Sequence, residues 1–76
     1  MAPLPAELRW QALRELASLR THARRTGCDL EALIGVPPRI RAHLEAFVEA
    51  EPVAGRPVRE ALMMRDYMLR VLKEDQ

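Results

Sequence analysis

Prolines and glycines divide this sequence into four pieces, and each piece has the apolar spacing of a helix. Glycine is typical just after the end of a helix, and proline is typical at its first position. Gly27 and Gly35 therefore end the first two predicted helices, and Pro52 ends the third. The predicted helices span residues 5–25, 30–34, 37–50 and 57–73.

No piece alternates polar and apolar residues as a half-buried strand does. We therefore predict an all-α fold, a small three-helix bundle with a short additional helix between helices 1 and 3. A chain of 76 residues has room for one core, so residues 1–76 form one helical domain. Ten apolar residues lie on the predicted inward stripes: Leu8, Leu16, Leu19, Leu33, Ile40, Leu44, Phe47, Leu62, Leu69 and Leu72.

Cysteine usage and hydropathy set the expected compartment. The single cysteine, Cys28, cannot form an internal disulfide, so nothing requires an oxidising environment. We see no signal-peptide pattern and no stretch near the roughly 20 apolar residues of a membrane span. The expected location is the cytoplasm, without a membrane partner.

Residues that carry catalytic or metal chemistry are few and scattered. His22 and His43 have no second ligand three or four residues away, so neither matches a zinc site. His22 lies among arginines, and His43 is expected to pack half-buried near Phe47. Cys28 is better explained as a small apolar residue that forms a hydrophobic staple with Leu33. The sequence predicts no enzyme, no metal and no cofactor.

The last helix carries more apolar surface than one core face needs. Val58, Ala61, Leu62, Met68, Leu69 and Leu72 fill the predicted core face. Met63 and Tyr67 lie four residues apart on the opposite side, and Met64 and Val71 extend the apolar arc toward them. Such a helix is usually buried on more than one side. We therefore expect Met63, Met64, Tyr67 and Val71 to contact a partner.

Arg65 falls within the predicted core face of the last helix. A buried guanidinium without a partner would cost several kcal/mol. Either its stem lies over Leu62 and Leu69 while its head reaches water, or the head pairs with an acid. The expected acid comes from the segment with Glu45, Glu49 and Glu51, or from a partner.

Residues 29–50 resemble a helix-turn-helix in outline. A short helix, a turn at Gly35 and a longer helix that opens with Arg39 and Arg41 have the right order. Under this hypothesis, Arg20, Arg24 and Arg25 at the end of the first helix are further candidate nucleic-acid contacts. However, the would-be recognition helix carries three glutamates, and the net charge of the chain is only +1. Nucleic-acid binding is therefore the alternative hypothesis.

The preferred hypothesis is a small non-enzymatic interaction module of the adaptor, inhibitor or regulatory kind. It would present an apolar face of its C-terminal helix to another protein or to a second copy as a homodimer. Trp10, at the flank of the first helical stripe, would join this surface or the core. The expected contact residues are Met63, Met64, Tyr67, Val71, Arg65 and Trp10.

Overall fold

The computed structural model describes residues 4–74, and all regular secondary structure in this range is α-helix. The four helices are α1 (Ala6–Thr26), α2 (Leu30–Ile34), α3 (Pro38–Ala50) and α4 (Arg56–Glu74). The predicted all-α fold, a small three-helix bundle with a short additional helix, is confirmed. Each observed helix boundary lies within one residue of its predicted position.

The helix ends follow from the residues that stand there. Gly27 adopts the left-handed conformation at φ 72°, and its N–H donates to the carbonyl of Ala23 at 2.8 Å. Asp29 caps α2, since its Oδ1 accepts from the backbone N–H of Glu31 at 3.3 Å. These local bonds satisfy backbone groups that a helix end leaves without a partner.

Helix α4 is the central element of the fold. α1, α2 and α3 each pack against α4, whereas α1 and α3 make no close backbone contact with each other. Along α1, Trp10 lies beside Tyr67 and Glu15 lies beside Arg65, so α1 runs antiparallel to α4. α3 also runs antiparallel to α4, because its start meets the middle of α4 while Val48 lies against Gly55. Two helices thus flank α4 on different sides.

The core lies between α1, α2 and α4. Its fully or nearly fully buried members are Ala12, Leu16, Ile34 and Met68. Of the ten predicted core residues, Leu16 and Leu62 are buried. The half-buried ones are Leu8, Leu19, Leu33, Leu44, Leu69 and Leu72.

Three core expectations are wrong. Ile40 is 51% exposed and Phe47 is 43% exposed, because α3 meets only α4 and turns one side to water. Ala61, expected on the core face of the last helix, is also exposed. Ile34 of the short helix α2, which is absent from the predicted core, is fully buried.

The molecule is flat and open for its length. Its radius of gyration is 13.2 Å, and its extents are 38 × 28 × 18 Å. A compact domain of this length has a radius of gyration of about 11 Å. The difference arises because α1 and α3 do not close on each other, and it leaves apolar side chains of both helices in water.

Candidate interaction surfaces

The predicted contact residues of α4 are largely covered by the chain itself. Met64, Tyr67 and Val71 are half-buried and pack against the core cluster. Met63 is half-buried on the other side, in a groove between α3 and α4. Met63 and Tyr67, which the sequence predicts to contact a partner, are therefore already partly covered within a single copy of the chain. α1 and α3 occupy two sides of α4, and this accounts for its extra apolar surface.

Arg65 is held by α2 and α1. Its Nη1 donates to the carbonyl oxygens of Leu33 at 3.0 Å and Ile34 at 2.9 Å. Its Nη2 lies 3.6 Å from Oε1 of Glu15. A carboxylate was expected, but from the acidic third helix, and this part is wrong. Arg65 instead caps the C-terminal carbonyls of α2 and joins three helices.

Arg41 ties α3 to α4. Its Nη1 and Nη2 donate to the two carboxylate oxygens of Asp66 at 2.9 and 2.8 Å, and its Nε donates to Glu45 at 2.8 Å. These hydrogen bonds, that to Asp66 first, raise the pKa of Arg41. The sequence placed Arg41 among candidate nucleic-acid contacts. Asp66 lies 25 residues from Arg41 along the chain, and helical periodicity does not predict an ion pair over that separation.

A second apolar stripe lies on the outer side of α1. Trp10 is 69% exposed and Leu13 is 43% exposed, and Ala6 and Ala17 continue the line. These four residues are spaced by four, three and four, so they share one helix face. This face points away from buried Ala12 and Leu16. The sequence placed Trp10 at the flank of the core stripe, and the structure excludes it from the core.

Tyr67 borders this stripe from the neighbouring helix. A shallow groove between α1 and α4 is lined by Ala6, Arg9, Trp10, Leu13 and Tyr67. The guanidinium carbon of Arg70 lies 5.3 Å from the centroid of the Tyr67 ring, within cation–π range. We call Ala6, Trp10, Leu13, Ala17 and Tyr67 the Trp10 surface. Of the predicted contact residues, Trp10 and Tyr67 meet here.

The outer side of α1 is strongly basic. Of its two glutamates, Glu15 lies near Arg65, which leaves Glu7 as the remaining acid of the helix. The exposed arginines of α1 are Arg9, Arg14, Arg20, Arg24 and Arg25. The Trp10 surface is therefore an apolar stripe with positively charged surroundings.

The candidate nucleic-acid residues do not form one patch. Arg39 lies exposed at the start of α3, and Arg41 is engaged by Asp66. Arg20, Arg24 and Arg25 lie on α1, which does not contact α3. Within residues 4–74, α2 and α3 also make no close contact, whereas the two helices of a helix-turn-helix pack on each other. The described geometry therefore gives the nucleic-acid alternative no common site.

Side chains with catalytic or metal-binding potential lie apart on the surface. His22, His43 and Cys28 are all exposed, so the half-buried position expected for His43 is wrong. Among the described residues, no group of three or more His, Cys, Asp or Glu side chains could hold a metal ion. No helix of residues 4–74 has the length and apolar character to cross a bilayer.

No protein family matches this chain, and no curated protein or solved structure resembles it significantly. The Trp10 surface is the candidate that combines a large exposed aromatic ring, a groove and mainly basic charged neighbours.

Proposed function

We propose that this chain is a small, non-enzymatic helical interaction module of the adaptor, inhibitor or regulatory kind, and that it binds another protein through the Trp10 surface. The observation that carries the proposal is the position of Trp10, a residue that is 69% exposed in a fold that has an apolar core beside it. Helix α4 contributes Tyr67 to this surface and otherwise serves the core.

The energetics of the Trp10 ring favour a binding role. Tryptophan buries about 150–250 Å² when fully covered. At roughly 25 cal/mol per Å², covering the exposed part would contribute about 3–4 kcal/mol before the free-energy cost of association is subtracted. The same ring contributes little to folding at its observed exposure. Tryptophan and tyrosine are also enriched among residues that dominate the free energy of interfaces.

The shape and charge of the surface indicate the kind of protein it fits. A helix laid along the groove between α1 and α4 would meet Trp10, Leu13 and Tyr67 with apolar residues at helical spacing. The arginines around the stripe would attract acidic residues at the rim of that helix, increase its association rate and repel basic competitors. The proposed partner is therefore a protein with an acidic amphipathic helix.

The remaining features are compatible with such a module. The exposed histidines and Cys28 have no arrangement that supports catalysis among the described residues, so the proposed activity needs no cofactor. The single unpaired cysteine fits a reducing compartment, and we propose a cytoplasmic location.

Co-purification with matched variants tests the proposal. The tagged full chain is expressed in its source organism as wild type, Trp10→Glu, Leu13→Glu and Gln11→Glu. Gln11 is exposed on the same helix but points to a different side, so it controls for added charge. We expect the wild type and Gln11→Glu to retain the same protein, and Trp10→Glu and Leu13→Glu to lose it while keeping wild-type helicity. Retention by both stripe variants, or equal loss in Gln11→Glu, would overturn the proposal.

A further inference from the structure

Helix α3 has an apolar side that no other part of the described chain covers. It contains no buried residue, and Ile40 and Phe47 are about half exposed. Ile40, His43, Phe47 and Ala50 are spaced by three, four and three, so they form one continuous seam on the helix. All four are exposed. This seam is distinct from the Trp10 surface, because α1 and α3 do not contact each other.

Arg41, Glu45 and Glu49 of α3 lie off this seam. Arg41 and Glu45 are bonded to each other, and Arg41 also to Asp66 of α4. Glu49 lines the groove between α3 and α4 on the other side of the helix. The seam therefore presents two large apolar residues, one alanine and one histidine, with Arg39 near its start and Glu51 at its end.

We propose that two copies of this chain form a dimer by pairing their α3 helices antiparallel along this seam. A twofold axis between His43 and Phe47 would place His43 opposite Phe47 of the second copy and Ile40 opposite Ala50. The interface would be isologous, because each copy contributes the same surface. Dimerisation would bury the apolar surface of α3 that a single copy exposes to water.

The charges at the two ends of the seam favour antiparallel over parallel pairing of the two α3 helices. Antiparallel pairing brings the end with Arg39 beside the end with Glu51 of the second copy. It also aligns the two helix dipoles in opposite directions, which is the favourable arrangement. Parallel pairing would place Arg39 beside Arg39 and Glu51 beside Glu51. Self-pairing through the Trp10 surface would likewise bring arginine-rich helices together. The neutral seam of α3 is therefore the surface on which a second copy fits best.

The expected dimer is weak. A helix of 13 residues is about 20 Å long, so a seam of this length buries less area than a standard stable interface. We expect a concentration-dependent equilibrium with a dissociation constant in the micromolar range or above.

Sedimentation equilibrium of the full chain over a concentration series tests the dimer. We expect Phe47→Glu to weaken dimerisation by about 30-fold, since it places a charge at the centre of the interface. Ala42→Glu, on an exposed side of α3 away from the seam, is the matched control and should dimerise as the wild type does. His43→Leu should tighten the dimer, because it replaces a polar ring with an apolar side chain at the axis. Circular dichroism verifies that every variant keeps its helices.

Charge reversal tests the direction of pairing. Arg39→Glu and Glu51→Arg should each weaken the dimer by about threefold, and the double variant should restore it. A wild-type chain that stays monomeric up to millimolar concentration would overturn the proposal, as would a dimer insensitive to Phe47→Glu or assemblies larger than two. Failure of the double variant to restore dimerisation would overturn the antiparallel arrangement.

Discussion

Nη1 of Arg65 lies 2.9 Å from the carbonyl oxygen of Ile34, the last residue of α2. A helix of five residues is too short to be stable alone, and its final carbonyls have no partner within the helix. Arg65 supplies a charged donor to two of them from the middle of α4. This contact holds fully buried Ile34 against Met68 in the core. A cation from another helix therefore caps the end of α2.

Replacement of Arg65 measures this role. We expect Arg65→Met to lower the free energy of unfolding by about 2 kcal/mol, because two part-buried carbonyls lose a charged donor. Urea unfolding of Arg65→Met and of Arg59→Met, an exposed arginine on the same helix, gives the comparison. Equal stability of the two variants would show that Arg65 has no special structural role.

The stability lost when an apolar residue is truncated to alanine should increase with the burial of that residue in the structure. Met68→Ala is expected to cost about 2–5 kcal/mol, because Met68 is fully buried in the core cluster. Leu44 and Leu69, both predicted to lie in the core, are half-buried, so Leu44→Ala and Leu69→Ala should cost less than Met68→Ala. Phe47→Ala should have the smallest effect of the four. Thermal and urea unfolding that ranks Phe47 above Met68 would contradict the described packing.

The boundaries of the helices could be predicted from the sequence because they depend on local chemistry. Gly27 ends α1 in the left-handed conformation, and Asp29 caps α2 through its own side chain. Both effects act within a few residues along the chain, so the one-dimensional pattern contains them.

The surfaces could not be predicted from the sequence to the same extent. Periodicity shows which residues share a helix face, but it does not show which element packs against that face. The extra apolar arc of α4 was interpreted as a partner surface, whereas α1 and α3 cover it from two sides. The partners of Arg65 are backbone carbonyls, which no residue pattern marks. The sequence left Trp10 either at an interaction surface or in the core, and only the fold shows that it lies outside the core.

Two glycines should respond to substitution for different reasons. A Cβ on buried Gly55 would lie 2.7 Å from Cα of Val48 and 2.8 Å from the carbonyl oxygen of Glu51, so Gly55→Ala should cost about 1–3 kcal/mol through overpacking. Gly27 has open space but a φ of 72°, so Gly27→Ala should cost about 1 kcal/mol through backbone strain.

Asparagine separates these two causes. Because asparagine tolerates the left-handed conformation, Gly27→Asn should be milder than Gly27→Ala, and Gly55→Asn should be worse than Gly55→Ala. If unfolding measurements rank the alanine and asparagine variants in the same order at both positions, backbone strain at Gly27 and overpacking at Gly55 are not the separate causes.

Nucleic-acid binding should be weak even under favourable conditions. Its candidate arginines are divided between α1 and α3, and Arg41 is bonded to Asp66 and Glu45. We expect fluorescence anisotropy to show no saturable binding of duplex DNA at low salt, where phosphate contacts are strongest. Saturable binding that Arg39→Ala abolishes would instead favour the helix-turn-helix hypothesis.

Site-specific photocrosslinking at position 10 tests the proposed interaction surface most directly. Benzoylphenylalanine replaces Trp10 in one variant and Gln11 in the other, so two exposed neighbours report on different sides of α1. Both variants of the full chain are irradiated in cells of the source organism, and their adducts are compared by mass spectrometry. We predict one discrete protein adduct from position 10 that is absent at position 11. The same adducts from both positions, or no protein adduct from position 10, would contradict the account.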